Sequence, residues 1–395
     1  MTAAARKAFD EAVALENSGD LDMALVAYLK AQELSPQDTE IAYRTASALL
    51  QAGFLEEAQS QLRRIVFSEP DHLKARSSLG NCQLLMGDHA NASLNFKEIL
   101  EQEPNSRNAL FGLATVKLNE GNAGEAEVLS RRLLEHLPDS TAALSLFAES
   151  QAKTSQTVSA IATYRKVLKS DQNYTPALLG LSETLLLGKR YDEVIRHTIR
   201  ASQLTPKDPR PLELLADALS GKGDLEDAYE AAEAAFKLGS RSVFALVRLS
   251  VLSRKLGNYT SALKYALAAH DVDNSAHEPF NALGTALASL KHAKKARAVL
   301  TVKAGQGLDG DIRTFVESLV ESDTGNVKPE ASSSKKTETS PKRRTSLKRA
   351  SDDTLTAEED ENSRIHQKQP AGNVSEDEFQ LPNVLGLSRQ DRSKA

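Results

Sequence analysis

Few residues of this chain combine the type and the spacing that chemistry requires. Gly305-x-Gly307-x-x-Gly310 spells a phosphate-cradling dinucleotide fingerprint. Those glycines work, however, only in the turn between a strand and a helix of a βαβ unit, where the helix N-terminus faces the pyrophosphate. Here the motif joins two helical patterns, so it reads as a connecting loop. Cys82 is the only cysteine, which excludes an internal disulfide and leaves a cysteine-built metal cluster without ligands. Inside a helical pattern, a small thiol is expected to be buried and inert. The eight histidines fall mostly one to a segment, and none forms a His-x3-His pair that could clamp a metal from one helix face. No catalytic residue, cofactor or metal is therefore expected.

The remaining candidates for chemistry are hydroxyls near the C-terminus. Ser340-Pro341-x-Arg343 resembles a proline-directed kinase site, and Arg343-Arg344-Thr345-Ser346 a basophilic one. Phosphate on Ser346 would remove nearly two positive charges from a basic block, Lys335 to Arg349, that has seven cations against Glu338. In a eukaryotic host the same block would also resemble a nuclear-import signal. It is followed by an acidic block, Asp352 to Glu378, with nine acids against Arg364 and Lys368. An uncharged stretch then carries Phe379, Leu381, Val384, Leu385 and Leu387. Residues 322–395 bury too little apolar surface to fold alone and read as a disordered charged tail, with the blocks as interaction arms.

The bulk of the chain is a repeat. Ala24, Ala58, Ala92, Ala126, Ala160, Ala228, Ala262 and Ala296 stand in one 34-residue register, with Val194 in the sixth place. With this residue set as position 20, the units fall at about 5–38, 39–72, 73–106, 107–140, 141–174, 175–208, 209–242, 243–276 and 277–306. Position 8 is Ala12, Ala46, Gly80, Ala114, Ala148, Ser182, Ala216, Ser250 and Gly284. Small residues at both positions predict two helices in close contact. Position 15 is glycine in six units, often before Asp or Asn, as in Gly19-Asp20 and Gly87-Asp88. Glycine there closes the first helix in the left-handed conformation, and the next side chain is expected to cap the second. Pro36, Pro70, Pro104, Pro138 and Pro206 close the second helix. The fold class is all-α, a solenoid of nine helical hairpins. A capping helix at 309–321 is expected behind Asp311, with Ile312, Phe315, Val316, Leu319 and Val320 on its apolar face.

Leu79-Gly80, Leu283-Gly284, Ala24-x3-Tyr28, Ala92-x3-Phe96, Ala160-x3-Tyr164 and the closing prolines resemble the signature of the tetratricopeptide repeat family. The resemblance implies a right-handed superhelix over residues 5–306, whose first helices line a concave groove with positions 2, 5, 9 and 12. It departs from the family at the early aromatic position, which holds Ala8, Ala42, Arg76 or leucine, and at Lys303, where a small or apolar residue is usual; the outer units are expected to be less stable. Groove residues implied by the resemblance include Phe9, Tyr43, Lys74, Asn81, Phe111, Glu149, Glu183, Glu213, Asp217, Arg254 and Asn281. Glu149, Glu183, Glu213 and Asp217 would make the middle acidic and favour a ligand with basic residues. No unit has the paired Lys and Asn with which chaperone-binding members hold a terminal carboxylate, and position 6 lacks the asparagine ladder of glycosyltransferase-linked members.

The formal charge of −5 belongs to the repeats, since residues 322–395 carry 13 basic and 13 acidic side chains. An acidic array argues against a nucleic-acid partner. No segment has the roughly 18 apolar residues of a membrane span. The expectation is a non-enzymatic, cytoplasmic scaffold or adaptor that takes a peptide or helix in its groove and carries a flexible regulatory tail. The alternatives are a self-assembling structural scaffold and an accessory of a secretion or envelope assembly system.

Overall fold

The computed structural model describes residues 2–302 and 307–324. Lys303, Gly305, Ser340, Ser346 and all residues from 325 onward lie outside the described residues. Every regular element described is a helix, and the helices gather into two compact units that divide between Ala177 and Leu178.

The first unit contains α1 (Ala3–Ser18), α2 (Leu21–Leu34), α3 (Thr39–Ala52), α4 (Leu55–Ser68) and α5 (Leu73–Met86). It continues with α6 (His89–Gln102), α7 (Arg107–Asn119), α8 (Ala123–His136), α9 (Thr141–Lys153) and α10 (Thr157–Ser170). α11 (Thr175–Leu187) spans the division. The second unit holds α12 (Tyr191–Leu204), α13 (Arg210–Lys222), α14 (Leu225–Lys237), α15 (Val243–Lys255) and α16 (Tyr259–Val272). α17 (His277–Ser289), α18 (Ala293–Leu300) and α19 (Gly310–Thr324) complete it.

Helix closure follows one backbone geometry at position 15. Gly19, Gly53, Gly87, Gly121, Gly223 and Gly257 have φ between 78° and 98°. Ser155, Lys189 and Lys291 occupy the same place without glycine, yet adopt φ of 64°, 56° and 66°. They are the only non-glycine residues with positive φ among those described. Arg190 N donates to Leu185 O at 3.1 Å, matching Phe54 N to Leu49 O at 2.9 Å after a glycine. These backbone bonds fix the turn even where a side chain strains it.

Capping of the second helix follows the sequence expectation only in part. Asp20 and Asp88 accept from Met23 N and Asn91 N, but Asp224, Asn122 and Asn258 make no side-chain cap. First helices are capped instead by Thr2, Asp38, Ser140 and Ser242, and α5 by the His72 ring, whose Nδ1 accepts from Ala75 N at 3.1 Å.

The interior forms where the small residues predict it. The nine residues at position 20 are at most 3% exposed. Position 8 meets position 24 of the paired helix: a Cβ on Gly80 would lie 2.9 Å from the Phe96 ring, and one on Gly284 2.6 Å from Leu300. Phe96 also abuts Gly112 of the following hairpin, where a Cβ would come within 2.3 Å. Tyr28 and Tyr164 fill the same buried place in their own hairpins. Ser130 and Thr198 substitute there by returning their hydroxyls to Ala126 O and Val194 O, at 2.7 and 2.8 Å.

Arg76, at the early aromatic position, lays its stem in the interior. Its guanidinium is held by Pro70 O at 3.1 Å, by Asn95 and by Glu98. Cys82 is fully buried and donates to Leu55 O at 3.2 Å.

In the second unit, α18 is a short helix of 8 residues. α19 packs Ile312, Phe315, Val316, Leu319 and Val320 against the cluster of Ala262, Leu263, Ala266, Phe280 and Val299. Its cap is Asp309, whose Oδ1 accepts from Asp311 N at 2.9 Å and Ile312 N at 3.3 Å; Asp311 therefore stands in the first turn and is not the cap. Arg313 grips Asp271 of α16 through two nitrogens, at 2.8 and 3.1 Å.

Candidate protein-binding faces

In the first unit, α3 packs on α5, α5 on α7 and α7 on α9, so equivalent positions of these helices follow one another across one face. Position 5 contributes an aromatic row. Phe9 is half-buried with its ring edge-on to Tyr28 at 5.8 Å, Tyr43 leans on His72 at 5.2 Å, and Phe111 packs beside Leu110 and Leu133. Ser77 interrupts the row and is buried. Position 9 supplies a polar, uncharged row: Ser47, Asn81 and Thr115 are half-buried, and Thr115 returns its hydroxyl to Phe111 O at 2.9 Å. Position 12 adds the half-buried Leu50, Leu84 and Leu118. Leucines at helical spacing read as core in the sequence, so their period alone does not mark this row as a surface. Lys74 and Glu149 are exposed at the margins.

An ionic cluster borders the N-terminal end of this face. Tyr28 donates its hydroxyl to Glu16 at 2.5 Å, while Arg44 lies 3.1 Å from Glu40 and 4.0 Å from Glu16. Burial, followed by the Glu16 hydrogen bond and charge, raises the Tyr28 pKa far above a normal phenol's. Tyr28 thus serves as a donor and not as an acid. Burial pushes the Cys82 thiol up to about 11, so it stays protonated at neutral pH.

In the second unit, Glu183 is exposed, but the neighbouring acids are already engaged. Asp217 receives two hydrogen bonds from Arg248, at 2.5 and 2.7 Å, and Glu213 accepts from the Ser240 hydroxyl. Arg210 turns back to Asp208 at 2.7 Å. The acidic stretch expected from the sequence thus meets a compensating cation at position 6, outside the groove positions 2, 5, 9 and 12. Arg254 is half-buried and Asn281 exposed, and Phe244 at position 2 of its hairpin is 73% exposed. A cavity of about 240 Å³ lies between α16 and α19, bordered by Lys264, Asp271 and Glu317. It is smaller than the 300–1,000 Å³ usual for a small-molecule site. Among the described residues, no three His, Cys, Asp or Glu side chains converge as metal ligands.

The repeat geometry agrees with family comparisons. Models described as tetratricopeptide repeat match residues 3–38, 43–93 and 213–279, and 83–149. The chain belongs to the tetratricopeptide repeat family. Among solved structures it is similar to a tetratricopeptide repeat protein from Parabacteroides merdae, with TM-score 0.50 and 18% identity over 63% of this chain and 98% of that one. It is also similar to a chain of the APC/C hetero-tetramer Cut9-Hcn1, with TM-score 0.53 and 14% identity over 76% of this chain and 58% of that one. At these identities the likeness concerns the fold alone. No protein of curated function matches the chain. Among the described residues, no helix is long and apolar enough to cross a membrane.

Proposed function

We propose that the protein is a non-enzymatic scaffold of nine hairpin units, and that the first-helix face of residues 1–177 binds an extended or helical segment of a partner protein. The observation that carries this reading is the juxtaposition of three rows along the first helices: Phe9, Tyr43 and Phe111, interrupted at Ser77; Ser47, Asn81 and Thr115; Leu50, Leu84 and Leu118. Aromatic edges supply apolar contact at little entropic cost, and uncharged hydroxyl and amide groups supply adaptable hydrogen bonds. The face favours a ligand with apolar anchors separated by polar, uncharged residues, and Lys74 and Glu149 suit charges at its margins.

The pairing of Asp217 with Arg248 and of Glu213 with Ser240 favours a ligand whose recognition does not depend on a basic centre. A pull-down from native lysate tests the proposal, comparing full-length protein with a Ser47→Arg, Asn81→Arg, Thr115→Arg variant of unchanged helicity and melting. The loss of a defined set of proteins is expected. Identical captured sets would remove the first-helix face from partner recognition.

A further inference from the structure

The repeat provides its own control for identifying an unusual surface. On the second helix, positions 19, 22 and 25 face away from the interior. They hold Glu57, Ser60 and Arg63 in the second hairpin, Asn91, Leu94 and Lys97 in the third, Glu125, Val128 and Arg131 in the fourth, and Ser159, Ala162 and Arg165 in the fifth. The first hairpin alone replaces all three with large apolar residues. Met23, Val26 and Leu29 are 53%, 58% and 38% exposed on α2, with Leu34 beside them at 41%.

Terminal position does not account for this patch. The end of a repeat array is the outer side of its first helix, and α1 presents Lys7, Asp10, Glu11 and Asn17 there, as a solvated end should. The apolar face of α2 also has a basic neighbour. Gln32 donates to Gln61 at 3.2 Å, tying α2 to α4, whose Arg63 and Arg64 are exposed at the positions equivalent to Leu29 and Lys30. Neighbouring helices lie about 10 Å apart, so an apolar strip and a cationic pair adjoin.

The same chain contains a segment with the complementary order. Glu376-Asp377-Glu378 is followed by ten residues without a charge, among them Phe379, Leu381, Val384, Leu385 and Leu387. We propose that the outer face of α2, together with Arg63 and Arg64, is the docking surface for this chain's own segment Glu376–Leu387. The acid triplet meets the two arginines and the apolar residues cover Met23, Val26 and Leu29. A random coil of 51 residues, the number between Thr324 and Glu376, would have a root-mean-square span of roughly 40 Å. A tethered segment meets its site at an effective concentration near ~1 mM, enough to fill a weak site. The surface is separate from the first-helix face, so the tail would leave partner binding there unobstructed.

The test uses three full-length proteins and a fluorescent peptide spanning Ser375 to Ser388. The proteins are the native chain, a tail variant with Phe379→Ser, Leu381→Ser and Leu385→Ser, and that tail variant with Val26→Glu and Leu29→Glu added. The tail variant should bind the peptide about ten-fold more tightly than the native chain, because its own segment no longer competes. The added α2 substitutions should abolish the gain. If they perturb folding, Arg63→Glu with Arg64→Glu in the tail variant should weaken peptide binding in the same way. Equal affinity of native and tail variant, or retained binding after the α2 or arginine changes, would overturn the proposal. Self-association that requires α2 but not the tail would assign the face to a second copy and overturn it as well.

Discussion

Phe96 sits against Gly80 of its own hairpin and Gly112 of the next, so one ring joins two repeat units. Gly112→Ala would put a methyl group 2.3 Å from that ring, and overpacking of this kind costs about 1–3 kcal/mol. A lower urea midpoint, with faster hydrogen exchange in α6 and α7, is the expected result. The left-handed turns give the opposite sign. Lys189 holds φ of 56° without being glycine, so Lys189→Gly should stabilise the protein by roughly 0.5–1 kcal/mol, once glycine's greater freedom in the unfolded chain is subtracted. Thermal melting would measure that gain. With its thiol held at about 11, Cys82 should resist alkylation at pH 8 in the native protein and react readily in urea.

At the scale of elements, the hairpins were legible in the sequence because each signal has a local cause. Small residues set helix contact, position 15 sets the turn, and proline closes the second helix. Side-chain capping was less legible: Asp224 and Asn122 stand in the same place as Asp20 and Asp88 but form no side-chain cap. The partner of Asp217 was less legible for a similar reason, since Arg248 reaches it from another helix, 31 residues along the chain. Only packing reveals such a partner. α19 shows both outcomes: its apolar periodicity marked the helix, while its cap shifted to Asp309 and its anchor, Asp271, lies 42 residues away.

The Asp271 latch also makes a pH prediction. Burial pushes its pKa up, but hydrogen bonds from Arg313 and His270 outweigh that and hold it below the usual 3.8. A depressed carboxylate stabilises the folded state above its unfolded pKa, and the benefit is lost as pH falls through the lower folded value. Exchange protection of α19 should therefore decline below pH 3.8, and Arg313→Gln should flatten that decline. The pair is partly exposed, so the effect should not exceed about 1 kcal/mol.

In the whole molecule the proposed tasks fall on two surfaces: a first-helix face for a partner and the outer face of α2 for the chain's own C-terminal segment. The register was legible because 34-residue periodicity runs without an insertion from Ala24 to Ala296. The partner was not, because face residues also serve packing: Tyr43 and Phe111 are half-buried supports as well as candidate contacts. Stability should consequently be distributed among neighbouring hairpins, so local exchange will describe a variant better than one global unfolding energy.

Site-specific photo-crosslinking reads out whether partners contact the proposed first-helix face. A photoreactive residue would replace Ser47 or Thr115 on that face, or Ser60 on the outer side of α4, in full-length protein within its native lysate. A common crosslinked partner is expected at Ser47 and Thr115 and none at Ser60. Capture of that partner at Ser60, with none at Ser47 or Thr115, would contradict the proposed contact.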